Sequence, residues 1–100
     1  MDPDFDEFLH VPARLAILAL LAPAGRVEFG FLRDAAETSD SALSKQISAL
    51  ADAGYVTVDK GRSDGVRRTR VGLTPAGRQA FARHARALER IAALARPEGT

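Results

Sequence analysis

The feature that most constrains this chain is a lone hairpin signal set among helical segments. Tyr55-Val56-Thr57-Val58 alternates with period two, Lys60 to Val66 holds two glycines and an aspartate, and Arg67 to Leu73 alternates again. That is the pattern of two antiparallel strands and their turn. A single hairpin is marginal in water, so its apolar face must be covered by helices. The alternation puts Val56, Val58, Thr69, Val71 and Leu73 on the covered face, leaves Arg68 and Arg70 outside, and places Gly61-Arg62-Ser63-Asp64-Gly65 at the tip.

The segments around the hairpin carry helical period and helix stop signals. Val11 to Ala22 is apolar nearly all round, with Pro12 where a missing N–H costs little and Pro23-Ala24-Gly25 ending it, and it reads as a core helix. Glu28 to Glu37 reads as a short supporting helix in which Phe29, Leu32, Ala35 and Ala36 share a face. Thr38-Ser39-Asp40-Ser41 is rich in N-capping side chains and opens a third helix running to about Ala53, where Gly54 supplies a left-handed stop. Leu43, Ile47, Leu50 and Ala51 give that helix its core face, opposite a small, polar, cationic face of Ser41, Ser44, Lys45 and Ser48. Thr74-Pro75 caps a last helix that extends to about Ala95 before Arg96-Pro97.

Four helices and a hairpin make a mainly α chain with a small β component, read as one domain over residues 1–100. With 100 residues, 46% of them hydrophobic, the chain can bury one modest core, and a separate effector domain is not expected. Charged residues make up 27% of it and the formal net charge is +1, a globular balance in which the distribution matters more than the sum. Asp2, Asp4, Asp6 and Glu7 make the amino end acidic, whereas Lys60, Arg62, Arg67, Arg68, Arg70 and Arg78 form a later basic stripe opposed only by Asp64. Such a stripe suits a polyanion. Leu15 to Ala22, the longest apolar run, is far short of the roughly 20 residues that cross a bilayer, no signal peptide precedes it, and a cytoplasmic protein is expected. No cysteine and two isolated histidines, His10 and His84, argue against a thiolate metal site, a redox switch or a transition-metal sensor, and no cofactor is implied.

Helix, helix-turn-helix, hairpin, helix is the order of a winged helix-turn-helix with a long C-terminal helix. The residue chemistry fits it at two points. A major groove admits one helix whose entering face is short and able to hydrogen-bond, as Ser41, Ser44, Lys45, Gln46 and Ser48 are. The hairpin carries Lys60, Arg62, Arg67, Arg68 and Arg70 within eleven residues, and such a wing can lie along phosphates or enter a narrow minor groove. The run Leu43-Ser44-Lys45-Gln46-Ile47-Ser48-Ala49-Leu50-Ala51-Asp52-Ala53-Gly54-Tyr55-Val56, followed by the basic hairpin and Val71-Gly72-Leu73-Thr74-Pro75-Ala76-Gly77-Arg78, resembles the MarR-type winged-helix regulators. The closer resemblance is to their short single-domain relatives, in which His10-Val11-Pro12-Ala13-Arg14-Leu15 also has a counterpart. It covers about residues 8 to 90.

The resemblance implies a DNA-binding transcriptional regulator acting as a homodimer on duplex DNA. It casts Ser41, Ser44, Lys45 and Ser48 as recognition-helix positions, Arg62, Arg67 and Arg68 as wing positions, and the terminal helix, about 75–95, as the dimerisation element. In that helix Phe81, Leu88, Ile91 and Ala95 form an apolar stripe. MarR proteins usually carry an acidic residue two places before the wing arginine, whereas Asp64 lies three before Arg67 and four before Arg68. The chain also lacks much of the helical material that in a full MarR protein builds the ligand cleft, so a small-molecule effector is not implied.

Other readings of the same residues are concrete. Arg14 and Arg33 either reach phosphates or pair with Glu37, Asp34 or a neighbouring acid. His10 reads as a cap or packing residue, and His84, between Arg83 and Arg86, reads as exposed. Asp2 to Glu7, with Phe5, Phe8 and Leu9 interleaved, is either a frayed tail or a short helix packed on a partner subunit, the second being favoured. An enzyme would need a nucleophile with its base, paired carboxylates or a metal cluster, and none is offered. The alternative function is a winged helix used as a protein-interaction module, which usually shows an apolar patch in place of a basic wing.

Overall fold

In the computed structural model, which describes residues 1–97, the order of elements is α1 (Pro12–Leu21), β1 (Arg26–Glu28), α2 (Phe29–Ala35), α3 (Asp40–Asp52), β2 (Val56–Ser63), β3 (Val66–Leu73) and α4 (Pro75–Ala93). The expected α-rich fold with a hairpin is present, with a third strand added. β1 pairs antiparallel with β3 through Arg26↔Gly72, Val27↔Val71 and Glu28↔Arg70, giving the sheet order β1-β3-β2. Three residues are too few to show a period, and Glu28 read as the start of a helix. Pairing with β3 decides the matter, because it turns Val27 into the core between two exposed charges.

The helix ends follow side-chain chemistry. Ser39 Oγ accepts from the Ala42 amide at 3.2 Å and starts α3. Gly54, at φ 81°, stops it while the Tyr55 amide reaches back to the Leu50 carbonyl at 2.9 Å. α2 ends earlier than Glu37, which itself takes the left-handed position with φ 53° while the Thr38 amide bonds the Arg33 carbonyl. On α2 Leu32 is buried, Phe29 and the C-cap residue Ala36 are half-buried, and Ala35 is exposed, contrary to its assignment to the apolar face. α4 stops at Ala93, and Leu94, Ala95 and Arg96 bond carbonyls three residues back. Pro97 has no N–H to offer the Ala93 carbonyl, which the Arg96 amide takes instead, so the last turn tightens and Ala95 falls outside the helix.

The hairpin is longer and its turn tighter than the glycine spacing suggested. β2 and β3 remain paired to Ser63↔Val66, leaving Asp64-Gly65 as a two-residue turn with φ of 54° and 76°. Two positive φ values match the right-handed strand twist, and an Asp-Gly pair supplies them at least strain. The core gathers Leu9, Ile17, Leu18, Leu21, Leu32, Leu43, Leu50 and Val71 around α1 and α3, with Phe81 of α4 packed against its edge. α4 lies on this core through Gly77, Ala80, His84 and Ala87, all buried, whose short spacing forms one face of the helix. Val58, expected to be covered, is 40% exposed because it faces a cleft.

Candidate nucleic-acid interface

α3 holds Leu43, Ile47 and Leu50 in the core, which turns Ser41, Ser44, Lys45 and Ser48 outward together. Gln46 sits on another side of the helix. It is half-buried and its Oε1 accepts from Arg14 Nε at 2.8 Å. Arg14 also donates to the Phe8 carbonyl and lies 4.3 Å from the centre of the Phe8 ring, so it braces α1 to α3. Arg33 is held at the start of α3 between Asp34 and Asp40, each at 2.9 Å.

The register of the hairpin sorts the basic residues between its two faces. Directly opposed residues share a face, so Val56, Val58, Lys60, Arg62, Arg67, Thr69, Val71 and Leu73 line one side. Thr57, Asp59, Arg68, Arg70 and Gly72 line the other. The first side continues the core face outward, and with α3 it bounds a cleft of about 570 Å³ that includes Ser44, Ser48, Asp52, Val58, Lys60 and Thr69. Farther out on the same side, Arg62 and Arg67 stand directly opposite each other. Arg62 Nη1 touches the Gly65 carbonyl at 3.3 Å, and neither arginine faces a carboxylate across the strands.

The outer side is a mixed charge lattice. Arg68 Nη1 lies 3.3 Å from Glu28, Arg26 pairs with Asp59 at 2.9 Å, and Arg70 is registered between Glu28 on β1 and Asp59 on β2. The structure thus brings Ser44 and Ser48 of α3 and Lys60 of β2 to one cleft, with Arg62 and Arg67 farther out on the same side of the hairpin, and sets Arg68 and Arg70 on the other side with acidic neighbours. The alternation alone puts Arg68 and Arg70 outside; what residue-level reading missed was Arg62 and Arg67 on the covered side, together with Asp40 and Asp52 as cleft walls. The signal that could have found it was register, which follows once Asp64-Gly65 is fixed as the turn.

The stripe on α4 divides as well. Phe81 packs on the protein's own core, Leu88 is half-buried, and Ile91 is 38% and Leu94 85% exposed. The Thr74-Pro75-Ala76-Gly77-Arg78 run is structural. Thr74 Oγ1 accepts from the Gly77 amide at 2.9 Å and donates to the Gly54 carbonyl at 2.7 Å, and Arg78 donates to the Ala22 carbonyl that ends α1. Among the described residues no group of three or more His, Cys, Asp or Glu could hold a metal ion, and no helix is long and apolar enough to cross a membrane.

Comparison with known proteins agrees with this geometry. A family described as a winged helix DNA-binding domain matches residues 13–92, and the chain belongs to that family. It superposes on a transcriptional regulator homologue from Pyrococcus horikoshii OT3 with a TM-score of 0.83 at 25% identity, covering 88% of this chain and 87% of that one. A MarR family transcriptional regulator from Silicibacter pomeroyi gives a TM-score of 0.67 at 30% identity over 91% of this chain and 63% of that one. NadR in complex with 4-hydroxyphenylacetate gives 0.73 at 25% identity over 92% of this chain and 65% of that one. The likeness to MarR-type proteins read from sequence therefore extends to the fold, with this chain spanning about two-thirds of those two relatives. Comparison with curated protein sequences finds no match.

Proposed function

We propose that this chain is a single-domain transcriptional regulator of the cytoplasm that binds duplex DNA as a homodimer and catalyses no reaction. α3 enters the major groove with Ser41, Ser44, Lys45 and Ser48 towards base edges and phosphates, and the wing lays Arg62 and Arg67 on the adjacent backbone or minor groove. The observation that carries this reading is one cleft lined by Ser44 and Ser48 of α3 and Lys60 of the wing, with Arg62 and Arg67 farther out on the same hairpin face. Two guanidinium groups opposed across a strand pair repel each other until an anion lies against them. Arg68 and Arg70 contribute long-range attraction from the outer face, and Gln46 positions Arg14 against α3. The dimer seam uses the exposed end of α4, Leu88, Ile91 and Leu94, with Ala95 just beyond it.

The test is fluorescence anisotropy of the protein on its own upstream DNA and on unrelated duplex at two salt concentrations. The expected result is tighter binding to the upstream duplex with a steep salt slope. Lys45→Ala and Arg67→Ala should each weaken binding and flatten the slope by about one unit per lost phosphate contact. Unchanged affinity and slope in both variants would overturn the assignment. No binding to either duplex at low salt would favour the protein-interaction module.

A further inference from the structure

The amino-terminal segment, expected to fray or to pack on a partner, is strapped along the protein's own α4. Leu9 anchors one end, fully buried in the core. At the other end Arg90 grips Asp2 at 2.6 and 3.0 Å and Asp4 at 2.8 Å. Between them lies His84, which contrary to its sequence reading is 0% exposed. Its Nδ1 accepts from the Asp6 backbone amide at 2.9 Å, and its Nε2 faces His10 Nδ1 at 3.2 Å. The Phe5 ring closes over both, 4.8 Å from His84 and 4.9 Å from His10. His10 is thus a packing residue, and Val11 caps α1 without a side-chain bond.

This arrangement admits one protonation pattern. A backbone amide can only donate, so His84 Nδ1 must carry a lone pair and its Nε2 the hydrogen. His10 Nδ1 must then accept. A second proton on His84 would set N–H against N–H at Asp6. We propose that residues 2–8 are a strap latched to α4 through His84, and that a proton taken up by His84 releases the latch. The latch belongs to the free chain, whether or not that chain binds DNA.

The groups around the pair give the sign. Burial, and after it the nearness of His10, lowers the pKa of His84, while Asp6 opposes them. On α4 its neighbours Arg83 and Arg86 are exposed, Glu7 on the strap is exposed, and Arg14, the one charge of α1, is committed to Phe8 and Gln46. A free histidine titrates at about 6.5, so below that pH the released state takes up a proton that the latched state refuses. Latching is therefore complete above about 6.5 and weakens by up to tenfold per pH unit below it, until the lowered pKa is reached. Asp2 is not the source of such a response, because Arg90 holds its carboxyl at about 2.

The experiment is NMR of the full chain from pH 7.5 to 5, following the Asp6 amide shift and its exchange protection beside those of Leu50 in α3. The expected result is loss of Asp6 protection by up to about tenfold per pH unit below 6.5, levelling off at the lowered pKa of His84, with Leu50 unchanged. His84→Leu should make the Asp6 signal independent of pH. Should that variant fail to fold, His10→Ala tests the same idea at an exposed position, moving the midpoint up towards 6.5. An Asp6 amide that keeps its shift and protection to pH 5, or one that loses protection only together with Leu50, would overturn the latch.

Discussion

At the scale of single residues, the chain's most recognisable motif turns out to be mechanical. In Thr74-Pro75-Ala76-Gly77-Arg78 the threonine caps α4 and ties it to the end of α3 through the Gly54 carbonyl. The glycine is there because a Cβ would overlap the Tyr55 carbonyl and come within 2.9 Å of Leu73 Cδ1. Thr74→Ala loses both bonds and should lower stability by about 1–2 kcal/mol in urea unfolding, with Thr74→Ser restoring most of it. Gly77→Ala should be worse, about 3 kcal/mol, since the obstacle is backbone and α4 would have to move off the sheet. Neither change touches the proposed DNA surface, so the residual folded protein should keep its salt slope.

At the scale of elements, the wing carries opposing demands. Its turn is close to ideal, and Gly65→Ala, at φ 76°, should cost about 1 kcal/mol, read as a lower thermal midpoint. Its inner face is electrostatically unfavourable, because Arg62 and Arg67 are directly opposed. Arg62→Thr should therefore stabilise the free protein by a few tenths of a kcal/mol while weakening its binding to DNA, so that the two effects of one substitution have opposite signs. The outer-face ion pairs of Arg26 and Arg68 are exposed, and breaking them should change stability by no more than about 1 kcal/mol.

At the scale of the whole molecule, the chain is long and thin, 60 × 24 × 22 Å, with a radius of gyration of 15.6 Å against about 13 Å for a compact domain of this length. Ile91 and Leu94 lie near the end of α4, beyond the last fully buried position, Ala87. Replacing both with Asp should leave the circular dichroism unchanged and convert the proposed dimer to a monomer in sedimentation equilibrium. Affinity for a two-fold site should then fall far more than affinity for a half-site.

The sequence by itself determined what local chemistry can determine: the capping turn Thr38–Ser41, the stop at Gly54, the cap at Thr74, the helical period of α3, the alternation of the wing, and hence the winged-helix order and its likeness to MarR-type regulators. Those features depend on neighbours a few residues away. Tertiary structure decided everything that depends on distant partners. It made a strand of Arg26–Glu28 by pairing it with β3, set Arg62 and Arg67 opposite each other on the covered side by register, and packed Phe81 against the core while leaving Leu94 out. It also buried His84 against a segment 78 positions away. A histidine between two arginines on a helix reads as solvated, and only the strap that crosses it removes the water.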